Sequence, residues 1–347
     1  THRTWNGSQI LSAGLLVSLG EVDAASALLN TLDKSLSKKL SASSLSLKAI
    51  IKLSSGDNNT AKSLTEQALS LNGDSFIANM TMSLVAQSYF DIAAASDWTK
   101  KALQSSPNNA VAKARLAELH LAAGELESAR KLAREATTSR ADNPYALTTL
   151  GFTYLTQYKT EKALEYFTKA SEQDLSSGLP FLGRGLALIR QGQLEQGRSE
   201  LEKAIHLEPK RALYRSYLGK AFFEEEREEL ANKEYDIALD LDANDPTPYL
   251  YRAFNQLSQN KPVAALSDIE DSISRNENRA VYRSKLLLDQ DEAVRSTSLA
   301  EVFRQLGFSR VSEIEAMRSI NRDYSNYSAH RLLADSLDSD FLADASF

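Results

Sequence analysis

The chain has 347 residues, of which 42% are hydrophobic and 25% charged, with a formal net charge of −6 and no cysteine. The missing cysteines exclude disulfides, thiolate zinc sites and a cysteine nucleophile, and the acidic balance disfavours a nucleic-acid binder, which would more often carry a net basic domain. Seven prolines and fourteen glycines are too few for an all-β chain of this length, and no apolar run reaches the roughly 20 residues that span a bilayer.

Residues 6–41 read as a helical hairpin, with Gly20-Glu21 at the turn, Ala25 as a small contact residue and Leu36 to Ser43 as a polar exit. Residues 42–75 form a second hairpin around the turn Gly56-Asp57-Asn58-Asn59. Residues 76–109 end at Ser106-Pro107-Asn108-Asn109, where proline stops a helix because it has no amide hydrogen. Residues 110–143 carry Gly124-Glu125 at the inner turn. The stretch from Gly151 to Ala170, GFTYLTQYKTEKALEYFTKA, reads as two short amphipathic helices with a polar turn between them. Residues 178–211 end with Leu207-Glu208-Pro209. Residues 212–245 repeat the Leu150-Gly151 pair as Leu218-Gly219, and residues 246–279 place Asn260-Lys261 at the turn.

These hairpins share a period. Steps of 34 from Ala61 give Ala95, Ala129, Ala163, Gly197, Ala231 and Ala265, and the same step from Ala68 gives Ala102, Ala136, Ala170, Ala204, Ala238 and Ser272. A small residue lets a facing helix come close, and one hairpin cannot bury its apolar stripe alone, so each needs copies beside it. The register then breaks. A unit from about Val294 puts Leu299, Phe303 and Gly307 at the expected offsets, after an insertion of about 13 residues, Val281 to Ala293. Tyr282, Leu286 and Leu287 have helical spacing there, and we expect extra helix that bends the array. The domain reading is an array of about eight hairpins over 6–279, a helical insertion over 280–293, and a further hairpin with a terminal helix over 294–347. That last helix, from about Tyr327, lacks a hairpin partner unless Phe341–Phe347 folds back on it, and the apolar end implies a polypeptide that continues.

Leu150, Gly151, Tyr154, Ala163, Phe167 and Ala170 form a pattern that resembles the tetratricopeptide repeat. Leu218, Gly219, Phe222, Ala231, Tyr235 and Ala238 match it in a second unit, and Gly185, Leu201, Ala204 and Pro209 in a third. The resemblance covers roughly residues 6–335. It departs at the fourth position, where tryptophan is absent throughout, and at Lys48 and Ser83, which stand where leucine and glycine are usual. It implies an all-α fold, a right-handed superhelical solenoid of antiparallel helix pairs, used as a binding scaffold. The C-terminal part, AVYRSKLLLDQDEAVRSTSLAEVFRQLGF and NYSAHRLLADS, resembles the end of repeat regions in large bacterial envelope proteins, where such an array can precede an outer-membrane β-barrel. This implies a periplasmic segment attached to a barrel outside it. A cysteine-free chain is consistent with such a compartment, and a cytoplasmic location is the alternative.

In this family the first helix of each unit lines the concave face. Carried over by position, the resemblance gives Ile77, Met80 and Leu84, then Tyr145, Thr148, Phe152 and Leu155. It continues with Leu179, Leu182, Leu186 and Ile189, and ends with Lys220 and Phe223. Such a groove would take an extended peptide or an amphipathic helix, although each of these side chains could instead pack against a neighbouring helix. The cytosolic variant that clamps a C-terminal carboxylate needs paired Lys and Asn residues; Thr148, Phe152, Leu182 and Leu186 stand in their places, which disfavours chaperone-tail binding.

No catalytic constellation converges. His2, His120, His206 and His330 include no pair at helical metal spacing, and His120 reads as a core-edge residue. Gly183 to Gly185 lies inside a helix pattern, so it is not a phosphate loop. The acidic run Glu224–Glu229 lacks calcium-loop spacing and reads as a solvated turn. Asn58, Asn79 and Asn326 open glycosylation acceptor triplets, which matter only in a eukaryotic secretory setting. The expected function is therefore a non-enzymatic scaffold without cofactor or metal, binding a protein or peptide partner. A cytosolic adaptor is the second reading and an enzyme the third.

Overall fold

The computed structural model describes residues 2–18, 21–32, 36–275, 291–322, 324 and 326–344. Among these residues the chain forms nineteen helices and no strand, so the all-α expectation holds. Two compact units result, Thr1–Ala146 and Leu147–Phe347.

The first unit holds α1 (His2–Ser18), α2 (Val22–Asn30), α3 (Lys38–Ser54), α4 (Asn58–Leu71), α5 (Phe76–Ser88), α6 (Ile92–Ser105), α7 (Ala110–Ala123) and α8 (Leu126–Ser139). The division falls within α9 (Pro144–Leu155). In the second unit follow α10 (Thr160–Gln173), α11 (Leu179–Arg190), α12 (Leu194–Leu207), α13 (Ala212–Glu224), α14 (Glu228–Leu241), α15 (Pro246–Ser258) and α16 (Pro262–Ser274). It ends with α17 (Asp291–Gln305), α18 (Ser309–Arg322) and α19 (Tyr327–Asp344). Inside each unit the helices pair in sequence order, and the second helix of one hairpin packs on the first helix of the next.

Helix starts follow from capping chemistry. Asp57, Asp91 and Asn109 precede α4, α6 and α7, and each accepts a backbone N–H three residues on, which satisfies one orphan donor of the first turn. Ser37 does the same for Leu40, so α3 starts at Lys38. Residues 38–43 were expected to be a polar exit; they are instead the first turns of α3, with Ala42 fully buried beneath them. The polar composition there belongs to the outer side of a helix, not to a loop.

Both ladders of small residues are buried in both units. Ala61, Ala95 and Ala129 in the first unit and Ala163, Ala231 and Ala265 in the second are 0% exposed, as are Ala68, Ala102, Ala136, Ala170, Ala204, Ala238 and Ser272. The rungs continue past the register break: Ser312 and Ser319 stand 47 residues after Ala265 and Ser272, and both are buried. That shift is one 34-residue step plus 13. Glycines of the first helices extend the same device. The ring of Phe167 on α10 sits so near Gly151 on α9 and Gly183 on α11 that an added Cβ would fall 2.6 and 2.4 Å from it. Tyr235 fills the matching space at Gly219, where a Cβ would lie 2.5 Å away.

A third periodic feature sits in the inner turns. Gly56, Phe90, Gly124, Tyr158, Gly192, Glu226 and Asn260 are spaced by 34, and every one has φ between 55° and 87°. The left-handed residue lets the chain leave one helix and enter the next within three or four residues. Four of the seven are not glycine, and they carry the strain of that conformation.

The predicted insertion at 281–293 lies outside the described residues except for Asp291–Ala293, which begin α17. The terminal helix does have neighbours: α19 packs on α17 and α18, with Ala329 fully buried and Leu332 in a cluster with Ala300 and Ala316. Phe341–Asp344 continue α19 instead of folding back on it.

Gly183→Ala should cost about 1–3 kcal/mol, because the added methyl overpacks the Phe167 ring; the loss, read as a lower denaturant midpoint, should shrink in a Phe167→Leu background. Glu226→Gly should raise stability by about 0.5–1 kcal/mol, since it relieves a left-handed conformation at an exposed side chain. Equal midpoints for Glu226→Gly and wild type would show that no strain is held at that turn.

Candidate functional site

The first helices of the hairpins adjoin one another within each unit, α1 with α3 and α3 with α5 in the first. On the first-unit face, Ile77 and Met80 are half-buried and Leu84 is exposed. Ile77 also packs against the cluster of Ile10, Ala13, Leu29 and Leu47. Val111, at the second position of the next hairpin, is 42% exposed. Counting the same position one hairpin further would have found it.

A charged network runs beneath this apolar edge. Arg115 on α7 is 5% exposed. Its Nη1 donates to Glu118 Oε2 at 2.9 Å, its Nη2 to Gln87 Oε1, and its Nε to Ser83 Oγ at 3.4 Å. Thr99 on α6 in turn donates to Ser83 at 2.8 Å. Tyr145 donates its hydroxyl to the same Glu118 oxygen. Burial works against the Arg115 charge, but Glu118 and the Tyr145 phenol outweigh it, and the guanidinium is held above its ordinary pKa. Burial and then the Glu118 charge push the Tyr145 phenol well above its usual value. Two protonated donors are therefore fixed on one carboxylate oxygen. Periodicity singled out Tyr145 alone of this set. The available signal was Arg115, a charge inside the alanine-rich helix AVAKARLAELHLAA.

In the second unit the positions read as groove-lining divide. Thr148, Phe152, Leu155, Leu182 and Leu186 are each 9% exposed or less. Phe152 packs edge-on against Phe167, with ring centroids 4.9 Å apart. Leu179, Ile189, Lys220 and Phe223 keep part of their surface. Lys220 pairs with Glu224 at 2.6 Å and sits 5.4 Å over the Tyr251 ring. Elsewhere in this unit Phe308, just before α18, and Val311, Ile314 and Met317 on it are 40–56% exposed at three-residue spacing. That apolar stripe was legible at i, i+3 and went unread.

Two stretches of the chain, residues 89–151 and 182–246, match family models described as Tetratricopeptide repeat. Those two stretches are tetratricopeptide repeats. No curated protein matches the chain. Among solved structures it is similar to the crystal structure of the APC/C hetero-tetramer Cut9-Hcn1, with TM-score 0.62 and 15% identity over 98% of this chain and 78% of that one. It is also similar to a human IFIT1 dimer with PPP-AAAA, with TM-score 0.59 and 17% identity over 89% and 81%. A tetratricopeptide repeat protein from Parabacteroides merdae ATCC 43184 gives TM-score 0.51 and 15% identity over 76% and 98%. At these identities the likeness is one of fold.

The tetratricopeptide repeat is a scaffold for protein–protein interaction and is generally non-catalytic. Among the described residues no group of three or more His, Asp or Glu is placed to hold a metal ion, and no helix is long and apolar enough to cross a membrane. His120 contacts Glu125 across the inner turn that follows α7. Asn79 is 2% exposed, and its amide donates to the Gly73 and Ser75 carbonyls.

Because Phe152 is sealed against Phe167 while Leu84 faces outward, the same substitution should act oppositely at the two. Phe152→Glu should lower stability by about 3 kcal/mol or more, and Leu84→Glu should change it by less than about 0.5 kcal/mol. Thermal melts of the two variants check this; equal losses would show that Leu84 also packs.

Proposed function

We propose that the protein holds an extended peptide or an amphipathic helix against the first-helix face of its hairpins. The observation that carries this reading is the apolar edge of the first unit. Leu84 at 36% and Val111 at 42% exposure, with half-buried Met80 beside Leu84 on the same helix face, leave apolar surface uncovered next to ordered polar groups. That combination suits a partner which brings its own apolar side chain and hydrogen-bonding backbone. In the second unit the part-exposed Leu179, Ile189, Lys220 and Phe223 supply comparable, more broken surface. No carboxylate clamp is part of the reading, since Thr148, Phe152, Leu182 and Leu186 supply neither a cation nor an amide.

We further propose that the scaffold acts in a bacterial envelope, as the periplasmic part of a larger protein attached to an outer-membrane barrel. What supports this is the cysteine-free composition and the likeness of the C-terminal stretch to envelope repeat regions. A cytosolic adaptor is the alternative.

Peptides selected on the intact chain from a random display library should protect amides of α5 and α7 from hydrogen exchange. The double variant Leu84→Glu and Val111→Glu should lose them while its helicity stays unchanged. Protection confined to the second helices of the hairpins would refute the reading.

A further inference from the structure

We propose that Glu118 is a cation-receiving point on the first-unit face, and that the segment held there carries a lysine or arginine beside an apolar side chain. This rests on the scaffold reading and sharpens it.

The geometry sorts the two oxygens of Glu118. Oε2 is taken twice, by Arg115 Nη1 at 2.9 Å and by the Tyr145 hydroxyl. Oε1 takes no hydrogen bond among the described residues, and the side chain is 40% exposed. The Arg115 side chain is only 6% exposed, and each of its three nitrogens already donates to Glu118, Gln87 or Ser83. A ligand on this face therefore meets the edge of the carboxylate and not the guanidinium behind it. A rigid acceptor with one free oxygen costs little to order when a donor arrives.

The chemistry of the partner follows from charge. Glu118 is the one carboxylate within α5 or α7, so on these two helices themselves a cation finds its counter-charge there. The positive charge behind it reduces the attraction, which makes the point selective more than strong. Exposed apolar side chains lie on the same two helices. Leu84 sits on α5 between Ser83 and Gln87, the two residues that Arg115 bonds, and Val111 lies four and seven residues before Arg115 and Glu118 on α7. A segment whose basic side chain reaches Oε1 would then have apolar neighbours to set against Leu84 and Val111 farther along the same helices.

The alternative is that the network only ties α5, α6 and α7 together, and peptide chemistry separates the two. Peptides selected on the intact wild-type chain are resynthesised with each basic residue replaced by glutamine, which leaves the protein untouched. The replacement should weaken binding to wild type about tenfold, the factor that about 1.4 kcal/mol gives. On Glu118→Gln, which keeps the side-chain shape and an acceptor for Arg115 and Tyr145, the same replacement should change binding by less than about twofold. Added salt should weaken the wild-type pair and spare the variant. Face-bound peptides without a basic preference, or equal losses on both proteins, overturn the inference and leave the scaffold reading standing. Peptides that bind away from α5 and α7 overturn both.

Discussion

How closely two helices approach is set by the side chains at their crossing, and in both units that crossing is made of alanine, serine and glycine. Alanine at Ala61 and Ala68, or at Ala163 and Ala170, brings the second helix of a hairpin against its neighbours with no Cγ between them. Close approach then decides everything farther out. It fixes where the chain must turn, which is why a left-handed residue recurs at Gly56, Phe90 and Gly124, and again at Tyr158, Gly192, Glu226 and Asn260. It also decides which large side chains fit the remaining space, as Phe167 does over Gly151 and Gly183. Interiors packed at crystal density do not average such choices away. Each hairpin is matched to the next one and to nothing beyond it.

Charged pairs add direction to this packing more than stability. Arg252 on α15 binds Asp268 on α16 through two parallel bonds of 2.8 and 2.7 Å, and Asp236 on α14 through a third of 2.7 Å. Arg198 on α12 reaches Glu225, just past α13, through its Nε, and Glu202 on its own helix through Nη1. Such part-buried pairs give back much of their attraction as lost hydration, so their net worth is small. Removing one partner is another matter, because the remaining charge stays partly buried. A planar guanidinium also accepts few geometries, so each of these arginines fixes the register of one helix against the next. Arg115 serves α5 and α7 of the first unit in the same way.

The fold was legible because the packing rule is written in one residue class at one spacing, and the structure adds Ser312 and Ser319 to the rungs that alanine made visible. The turns were less legible. Sequence marks a left-handed position through glycine or asparagine, as at Asn260, whereas Phe90, Tyr158 and Glu226 adopt it between the flanking helices with no such residue to announce it. The start of α3 was misplaced because lysine and serine look alike in a loop and on the outer side of a helix. The candidate site was the least legible part. Counting positions from the family register named Phe152, Leu155, Leu182 and Leu186 together with Leu84, and no count of positions distinguishes a sealed side chain from an open one.

The difference between those side chains has a cause one residue away. Where glycine holds the eighth position of a hairpin, as Gly151 and Gly185 do, a bulky residue of the second helix, Phe167 or Leu201, presses into the gap. The ninth side chain, Phe152 or Leu186, is then drawn into the same packing and buried. Where the eighth residue has a side chain, as with Ser83 and Ala117, that gap is closed and the ninth position stays open, leaving Leu84 and Glu118 accessible. Gly219 is an instructive intermediate: Tyr235 fills its gap, and Lys220 behind it lies over Tyr251 with its amine paired to Glu224. The features that make a hairpin conform best to its family pattern are therefore those that remove its ninth side chain from the surface. Departures from the pattern, Ser83 above all, leave side chains available to a partner, so recognition is expected at the less regular hairpins.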